Sequence, residues 1–161
     1  MVQLRPQRPD DLALLLGSSS PYDFGPSPLR TEPGPCDLDA AGALTVLDDA
    51  GAVAGEASWR WGERRWGPTA ASSCPVVHLW LRPDARGGDV GGAALEALVE
   101  LLLTHTAAHR VEACADVEDV GALQDLEAAG FTREGVVRGA RWRRGAHRDL
   151  VLCAVLRTDR A

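Results

Sequence analysis

The stretch that decides the fold covers residues 76–103 and reads VVHLWLRPDARGGDVGGAALEALVELLL. Its first six residues, Val76–Leu81, form a short apolar run that predicts a buried strand. A glycine-rich turn, Arg86–Gly92, leads into a helix predicted for Gly91–His105, whose leucines recur at helical spacing. A strand that passes through glycines into a helix presents free backbone N–H groups and the positive end of the helix dipole, which favour phosphate binding. A tight helix-start turn needs similar residues, so the turn alone leaves both interpretations open.

The rest of the chain predicts strands and helices on both sides of this stretch. Before it come a strand (Val2–Arg5), a short helix (Pro9–Leu16) and a hairpin of two strands (Ala43–Leu47 and Val53–Trp61). After it come a strand (Arg110–Ala115), a helix (Asp119–Ala129) and two final strands (Glu134–Trp142 and His147–Leu156). This order predicts one α/β (α+β) domain over residues 1–161, with a mixed sheet that is mostly antiparallel and carries helices on its faces.

Composition excludes several classes of protein. The chain has 161 residues, enough for one hydrophobic core, and 45% of them are hydrophobic. No apolar run is long enough to cross a bilayer, so we expect a cytoplasmic protein that does not act at a membrane. The net charge of −6 argues against nucleic acid as a partner. All 17 basic residues are arginine, which excludes mechanisms that form a lysine Schiff base.

The four cysteines are widely spaced. Cys36, Cys74, Cys114 and Cys153 form no Cys-x-x-Cys pair and have no histidine at ligand spacing. We therefore expect no metal site, and we expect the thiols to be small buried side chains in a reducing compartment.

Several segments carry a family resemblance when they are taken in order along the chain. They are Leu4–Pro6 with Asp10–Leu12, Trp80–Gly87, Ala128–Gly135, and Arg138 with Gly145, Asp149 and the strand that ends at Arg157. In this combination the chain resembles the GNAT superfamily of acyl-CoA-dependent N-acyltransferases, particularly its RimJ/RimL-like branch. The resemblance covers nearly the whole chain.

The resemblance implies a fold and a cofactor site. Two parallel central strands, Val76–Leu81 and Arg110–Ala115, would splay apart and admit the pantetheine arm of acetyl-CoA. Backbone groups of Leu79, Trp80 and Leu81 would bind the pantetheine. The pyrophosphate would be held by the turn, which consists of Arg86, Gly87, Gly88, Asp89, Val90, Gly91 and Gly92. An amine would attack the thioester directly, helped by a base and by an N–H that stabilises the oxyanion.

Two positions depart from the family pattern, which reads Arg/Gln-x-x-Gly-x-Gly/Ala in the turn. Asp89 replaces the middle glycine, so a carboxylate either repels the phosphates or caps the helix through its own side chain. Asp119 stands where the family often has a cofactor-contacting Asn, and it reads equally well as a plain helix cap. Either role of Asp89 predicts weaker CoA binding.

His78 is the first choice for the general base, because it lies on the central strand near the expected thioester. It would act directly or through a water; the alternative is a structural histidine in a strand. Glu56 and Glu112 are weaker candidates, and each also reads as a solvated strand residue. The family commonly uses a late tyrosine as general acid, but the only tyrosine is Tyr22, so no general acid is assigned.

Aromatic residues suggest where an amine acceptor binds. Tyr22 and Phe24, in an early loop, and Trp66 are expected to line the pocket for a small-molecule or peptide amine. Trp and Arg also interleave in residues 59–66 and 141–144, which could clasp an acidic ligand or follow from strand alternation. The C-terminal hairpin is a candidate contact for a homodimer.

Two functions of different classes are consistent with the sequence. The first is an enzyme that transfers an acetyl group from acetyl-CoA to a primary amine of a small molecule or a protein N-terminus. The alternative is a GNAT-like module that has lost CoA chemistry and acts as a ligand-binding or regulatory protein, because a fold does not determine a function.

Overall fold

The computed structural model describes residues 1–15, 32–62, 67, 72–143 and 145–160. The strands are β1 (Gln3–Pro6), β2 (Ala41–Leu47), β3 (Val53–Trp61), β4 (Pro75–Leu81), β5 (Arg110–Asp116), β6 (Thr132–Arg143) and β7 (Ala146–Leu156). The helices are α1 (Pro9–Leu15), α2 (Val90–His105) and α3 (Val120–Ala128). This is the predicted order of elements. Among the described residues, the sequence did not predict the short 3₁₀ helices Pro83–Ala85 and Arg157–Arg160.

The seven strands form one sheet in the order β1-β2-β3-β4-β5-β7-β6. Neighbouring strands are antiparallel except β4 and β5, which run parallel. The register of the parallel pair has a single position, Val76 opposite Glu112, near the start of both strands. From there β4 and β5 diverge toward their carboxyl ends and open a V-shaped gap in the sheet. The mixed, mostly antiparallel sheet with two splayed parallel strands is confirmed.

Helices pack on both faces of the sheet, as predicted. On the first face, α2 contributes Leu95 and Leu98 to the main core, together with Leu44 and Val46 of β2. Thr45 lies between those two residues and must point to the opposite side, because side chains alternate along a strand. There its hydroxyl donates to Asp11 of α1 at 2.7 Å, so α1 covers the second face.

The structure tests two local predictions, which concern the Trp-Arg pattern of β3 and the burial of the cysteines. Trp59 is 2% exposed whereas Arg60 is exposed, so strand alternation explains that part of the Trp-Arg pattern. All four cysteines are free thiols; Cys74 and Cys153 are buried as predicted, whereas Cys114 is half-buried. Cys36 is exposed because it lies outside the long strands, in an isolated bridge to Gly42. Among the described residues, no helix is long and apolar enough to cross a membrane.

Candidate functional site

A cleft of about 820 Å³ occupies the gap between β4 and β5. Its walls are the diverging halves of the two strands, the turn before α2, the start of α2, one side of α3, and the tip of β6. Val77 and Ala113 in the wall belong to the core of the first face, whereas His78 and Cys114 alternate with them and lie on the second face. The cleft therefore passes through the sheet and joins the two faces.

At the first face the cleft meets the glycine-rich turn. Arg86, Gly87, Gly88, Asp89 and Gly92 are part of its wall. The Nε of Arg86 donates to the carbonyl oxygen of Leu81 at 2.9 Å, which ties the turn to the end of β4. Gly87 has a φ of 80°, a left-handed conformation that favours glycine. The turn is exposed to the cleft along most of its length.

The structure excludes one of the two predicted roles of Asp89. The residue stands at the N-cap position of α2, but its side chain makes no capping hydrogen bond, and the prediction that it caps the helix is wrong. Its backbone adopts helical angles, with φ −78° and ψ −3°, instead of the extended conformation that capping side chains normally need. Asp89 therefore adds an exposed negative charge beside the start of α2.

Asp125 of α3 takes the position that Asp89 leaves open. Its carboxylate packs so closely against the start of α2 that a methyl group at Gly91 would collide with it. Burial and the charge of Asp119 raise the pKa of Asp125 to about 6, against the opposite effect of the Gly92 backbone N–H. The first-face end of the cleft thus has a carboxylate from α3 at the N-terminus of α2.

Asp119 behaves as a helix cap. Its Oδ1 accepts from the backbone N–H of Ala122 at 3.0 Å at the start of α3, which confirms the capping role. The same residue is part of the cleft wall. Together with Asp89, Asp125 and Glu96, it makes the first-face end of the cleft acidic, with Arg86 as the cation of this end among the described residues.

His78 lies at the second-face end of the cleft. Its side chain has surface exposed to the cleft, while the surrounding protein partly removes it from bulk water. This desolvation lowers the pKa of His78, and the positive charges of Arg60 and Arg141 lower it further. A lower pKa favours the neutral imidazole, which is the form that a proton acceptor needs.

The cleft wall also contains two arginines of the Trp-Arg pattern. Arg141 and Arg143 of β6 are both part of the cleft wall. Arg143 is buried and forms an ion pair of 3.6 Å with Asp116, which is also buried. Burial and the charge of Arg143 lower the pKa of Arg141, against opposite effects of Asp116 and Cys114. The cleft wall therefore contains His78 together with Arg141 and the buried Arg143–Asp116 ion pair.

The structure separates the other two base candidates from the cleft wall. Glu56 accepts a hydrogen bond of 2.7 Å from Nε2 of Gln7. Glu112 is 1% exposed and forms an ion pair of 2.8 Å with Arg110, which also pairs with Glu134. The expectation of a solvated Glu112 is wrong. Its strand β5 lies in the centre of the sheet, and Arg110, two residues earlier on the same face, pairs with its carboxylate.

The remaining predicted site residues divide into three groups. Leu79, Trp80 and Leu81 line the cleft on the β4 side. Val90 and Gly91 are not part of the described cleft wall. The predicted acceptor residues Tyr22, Phe24 and Trp66 lie outside the described residues.

Sequence reasoning missed Asp125 and Asp116 and gave Arg143 no specific position. Asp125 is six residues beyond Asp119 on α3, and nothing in the local sequence indicates that it meets Gly91 of another helix. Asp116 ends β5, and the arginine-rich segment 141–144 lies far from it in the sequence. An ion pair between them can be expected only once the strands have been aligned. These residues are found only when the packing of α3 and β6 against the cleft is known.

No protein-family sequence model matches the chain, and no curated protein sequence is significantly similar to it. Solved structures do match. A probable acetyltransferase superposes with a TM-score of 0.63 at 22% identity, over 74% of this chain and 63% of its own. RimJ of Mycobacterium smegmatis, solved with CoA-disulfide, superposes with a TM-score of 0.63 at 21% identity, over 74% of this chain and 55% of its own. Spermidine N-acetyltransferase of Vibrio cholerae, solved with CoA and spermine, superposes with a TM-score of 0.73 at 15% identity, over 98% of this chain and 96% of its own.

The alignments thus span less than two thirds of the first two proteins and nearly all of the third. At identities of 15–22%, the likeness establishes the fold, which is that of the GNAT acetyltransferases.

Proposed function

We propose that this protein belongs to the GNAT superfamily and transfers an acetyl group from acetyl-CoA to a primary amine. The observation that carries the proposal is the cleft through the sheet. It joins a glycine-rich turn and a helix N-terminus on the first face to His78, whose pKa is lowered, on the second face. The RimJ/RimL-like branch rests on the sequence motifs, and the likeness to RimJ supports it only at the level of the fold.

The described residues fit the pantetheine arm. Beyond Val76, the edge of β4 that faces β5 is not paired in the sheet, so backbone groups of Leu79 and Trp80 border the gap. A chain with amide groups can bind there as an added strand would. The carbonyl of Leu81 already accepts from Arg86, so Leu81 contributes contact area rather than that acceptor.

The backbone of the turn can bind a pyrophosphate, but the negative charges around it disfavour one. Gly87 and Gly88 leave open space around the backbone, and the start of α2 supplies the positive end of a dipole. Against this, Asp89, Asp119 and Asp125 surround the start of α2. Like charges about 4 Å apart cost roughly 1 kcal/mol in water and more in a less polar site. We therefore expect binding of acetyl-CoA that is weaker than a glycine at position 89 would allow.

Acetyl-CoA supplies an activated acetyl thioester, and the residues of this chain orient and deprotonate the acceptor. The amine nitrogen forms a bond with the acetyl carbon, and the carbon–sulfur bond breaks. His78 takes the proton that the nitrogen loses, directly or through a water. The sulfur leaves as a thiolate that gains a proton from solvent. The products are an N-acetyl amine and free CoA.

Thiol release tests the reaction. We expect CoA thiol to appear when the protein, acetyl-CoA and a panel of primary amines are combined. His78→Gln should lower kcat by about 10²-fold or more, the usual effect of removing a general base. The exposed His109, outside the cleft wall, provides the control His109→Gln, which should behave as the wild type. A protein that binds acetyl-CoA yet releases no thiol with any amine would contradict the proposal.

The second candidate function is a GNAT-like module that has lost CoA chemistry. The observation that favours it is the acidic first-face end of the cleft, with Asp125 at the N-terminus of α2. This candidate predicts no binding of acetyl-CoA, whereas the transferase predicts binding that depends on Arg86.

Compartment and assembly are further parts of the proposal. Four free cysteines, one of them exposed, fit the reducing environment of a cytoplasm. A homodimer would form along β6, the edge strand of the described sheet, where Val136 and Val137 are exposed. Light scattering of the purified protein tests the dimer, and a mass of one chain at all concentrations would contradict it.

A further inference from the structure

Asp125 lies where α3 crosses the start of α2. A methyl group at Gly91 would collide with its carboxyl group, and one at Gly92 would collide with Ala128. The two glycines therefore let the helices approach closely, so that the carboxyl group of Asp125 reaches the first turn of α2. There the backbone N–H of Gly92 donates to it. Asp125 and Gly92 are both part of the cleft wall.

The carboxyl group of Asp125 occupies a position that the proposed pyrophosphate site needs. The N–H groups in the first turn of a helix have no acceptor within the helix, and anions bind to them. Asp125 already accepts from one of these groups, that of Gly92. An ionised Asp125 would repel a phosphate beside it, whereas a protonated Asp125 carries an O–H that can donate to a phosphate oxygen.

The surroundings favour the neutral form of Asp125. Burial and the negative charge of Asp119 raise its pKa to about 6. Its helix packs against α2 and β5. The other ionisable side chains of the described cleft wall are His78, Arg86, Asp89, Glu96, Cys114, Asp116, Arg141 and Arg143. At the first-face end, Arg86 only partly offsets Asp89 and Glu96. A phosphate group that enters this end adds negative charge and raises the proton affinity of Asp125 further.

We propose that Asp125 binds the pyrophosphate of acetyl-CoA as the neutral acid, so that binding of the cofactor takes up one proton. The O–H of Asp125 donates to a phosphate oxygen, while its other oxygen keeps the hydrogen bond from Gly92. The proton comes from solvent, and no covalent bond of the cofactor changes. This inference rests on the proposed function and adds a cofactor-binding residue and a pH dependence to its site.

The proton uptake predicts how the affinity changes with pH. With a pKa of about 6, Asp125 of the unliganded protein is roughly three-quarters protonated at pH 5.5 and about 3% protonated at pH 7.5. Because only the protonated form binds well, Kd for acetyl-CoA should rise by about 10- to 25-fold between these two pH values. Calorimetry at pH 7.5, in two buffers with different ionisation enthalpies, should show that about one proton is taken up per acetyl-CoA bound.

Two substitutions at the same position separate the donor from the charge. Asp125→Asn keeps an oxygen for Gly92 and offers an N–H to the phosphate without titrating. It should bind acetyl-CoA at pH 7.5 about 10- to 25-fold more tightly than the wild type, with about one proton fewer taken up. Asp125→Ala removes both the charge and the donor, so it should bind about fivefold more weakly than Asp125→Asn at every pH. Equal affinities of the two variants would show that Asp125 only repels the cofactor.

The control is Glu127→Gln, which removes an exposed carboxylate from the same helix outside the described cleft wall. It should keep the affinity and the proton uptake of the wild type. The 3′-phosphate of acetyl-CoA also titrates near pH 6. Its contribution is the same for every variant, so the difference in proton uptake between the wild type and Asp125→Asn reports Asp125.

The outcomes separate this inference from the function on which it rests. Release of thiol by a wild type whose proton uptake equals that of Asp125→Asn leaves acetyl transfer intact and overturns the role of Asp125. Proton uptake that Asp125→Asn abolishes supports the role, and absence of thiol release would then contradict only the transferase. If neither protein binds acetyl-CoA, the proposed function fails, and inorganic pyrophosphate becomes the probe. Proton-linked binding of pyrophosphate that depends on Asp125 supports the site, whereas no binding overturns it.

Discussion

The substitution Asp125→Asn tests the charge arrangement at the first-face end of the cleft. Asn keeps the shape of the side chain and an oxygen that can face the Gly92 N–H, but it removes the negative charge that burial and Asp119 disfavour. We therefore expect the variant to be more stable than the wild type at neutral pH. The expectation is unusual, because most substitutions of partly buried residues destabilise a fold.

The magnitude follows from the pKa of Asp125, which rises from 3.8 to about 6 on folding. A folded state that binds the proton more tightly has its full stability below about pH 4 and loses it as the pH rises through 6. At about 1.4 kcal/mol per pKa unit, the ionised carboxylate costs at most about 3 kcal/mol. Asp125 is partly exposed, so solvent screening reduces this to about 1–2 kcal/mol.

Thermal and urea denaturation at several pH values measure this effect. Above about pH 6.5, Asp125→Asn should raise Tm by roughly 2–4 °C for each kcal/mol, and the difference should vanish near pH 4, where the wild-type carboxyl is neutral. The control is Asp10→Asn, which removes an exposed carboxylate from α1 and should shift Tm very little at any pH. A loss of stability in Asp125→Asn at neutral pH, or a gain that is equal at both pH values, would refute the reasoning.

Three further predictions concern the cleft. Because desolvation and two arginines lower the pKa of His78, the acid limb of the kcat/KM profile should lie below about pH 6.5, and a limb above that value would exclude His78 as the base. Asp89→Gly removes one exposed charge and should tighten acetyl-CoA binding by about fivefold in calorimetry; unchanged or weaker binding would show that Asp89 does not repel the ligand. Gly91→Ala places a methyl group against Asp125 and should cost about 1–3 kcal/mol in urea denaturation. The double variant with Asp125→Ala should regain that loss, and a stable single variant would show that the helices are not so closely packed.

The order of elements could be predicted from the sequence because each element has its own local signal. The leucines of α2 recur at helical spacing, and Asp119 is a good N-cap, so these helices begin within one residue of the predicted positions. The turn residues between β2 and β3 likewise predict a hairpin. The splayed strands came from the family resemblance, since periodicity alone does not indicate how far two strands remain paired.

Arg86, Asp89 and Asp119 could be predicted as cleft residues, but other residues that set its charge could not, because they depend on contacts between distant elements. Asp125 reads as a polar residue of an amphipathic helix until α3 is packed on Gly91. Strict alternation along β6 does not reveal where Arg141 points, because the bulge at Gly139 changes the register before it. Glu112 reads as solvated for the same reason, since its burial depends on the neighbouring strands of β5 and on Arg110.

The most direct test of the account is a calorimetric titration of the purified protein with acetyl-CoA. The cleft through the sheet predicts one site with micromolar affinity, which Arg86→Gln should weaken by tenfold or more, in the range of about 1.4 kcal/mol or above. Arg138→Gln, on the exposed part of β6, should bind as the wild type does. Absence of binding at millimolar acetyl-CoA, or binding that does not depend on Arg86, would contradict the assignment of this cleft to acetyl transfer.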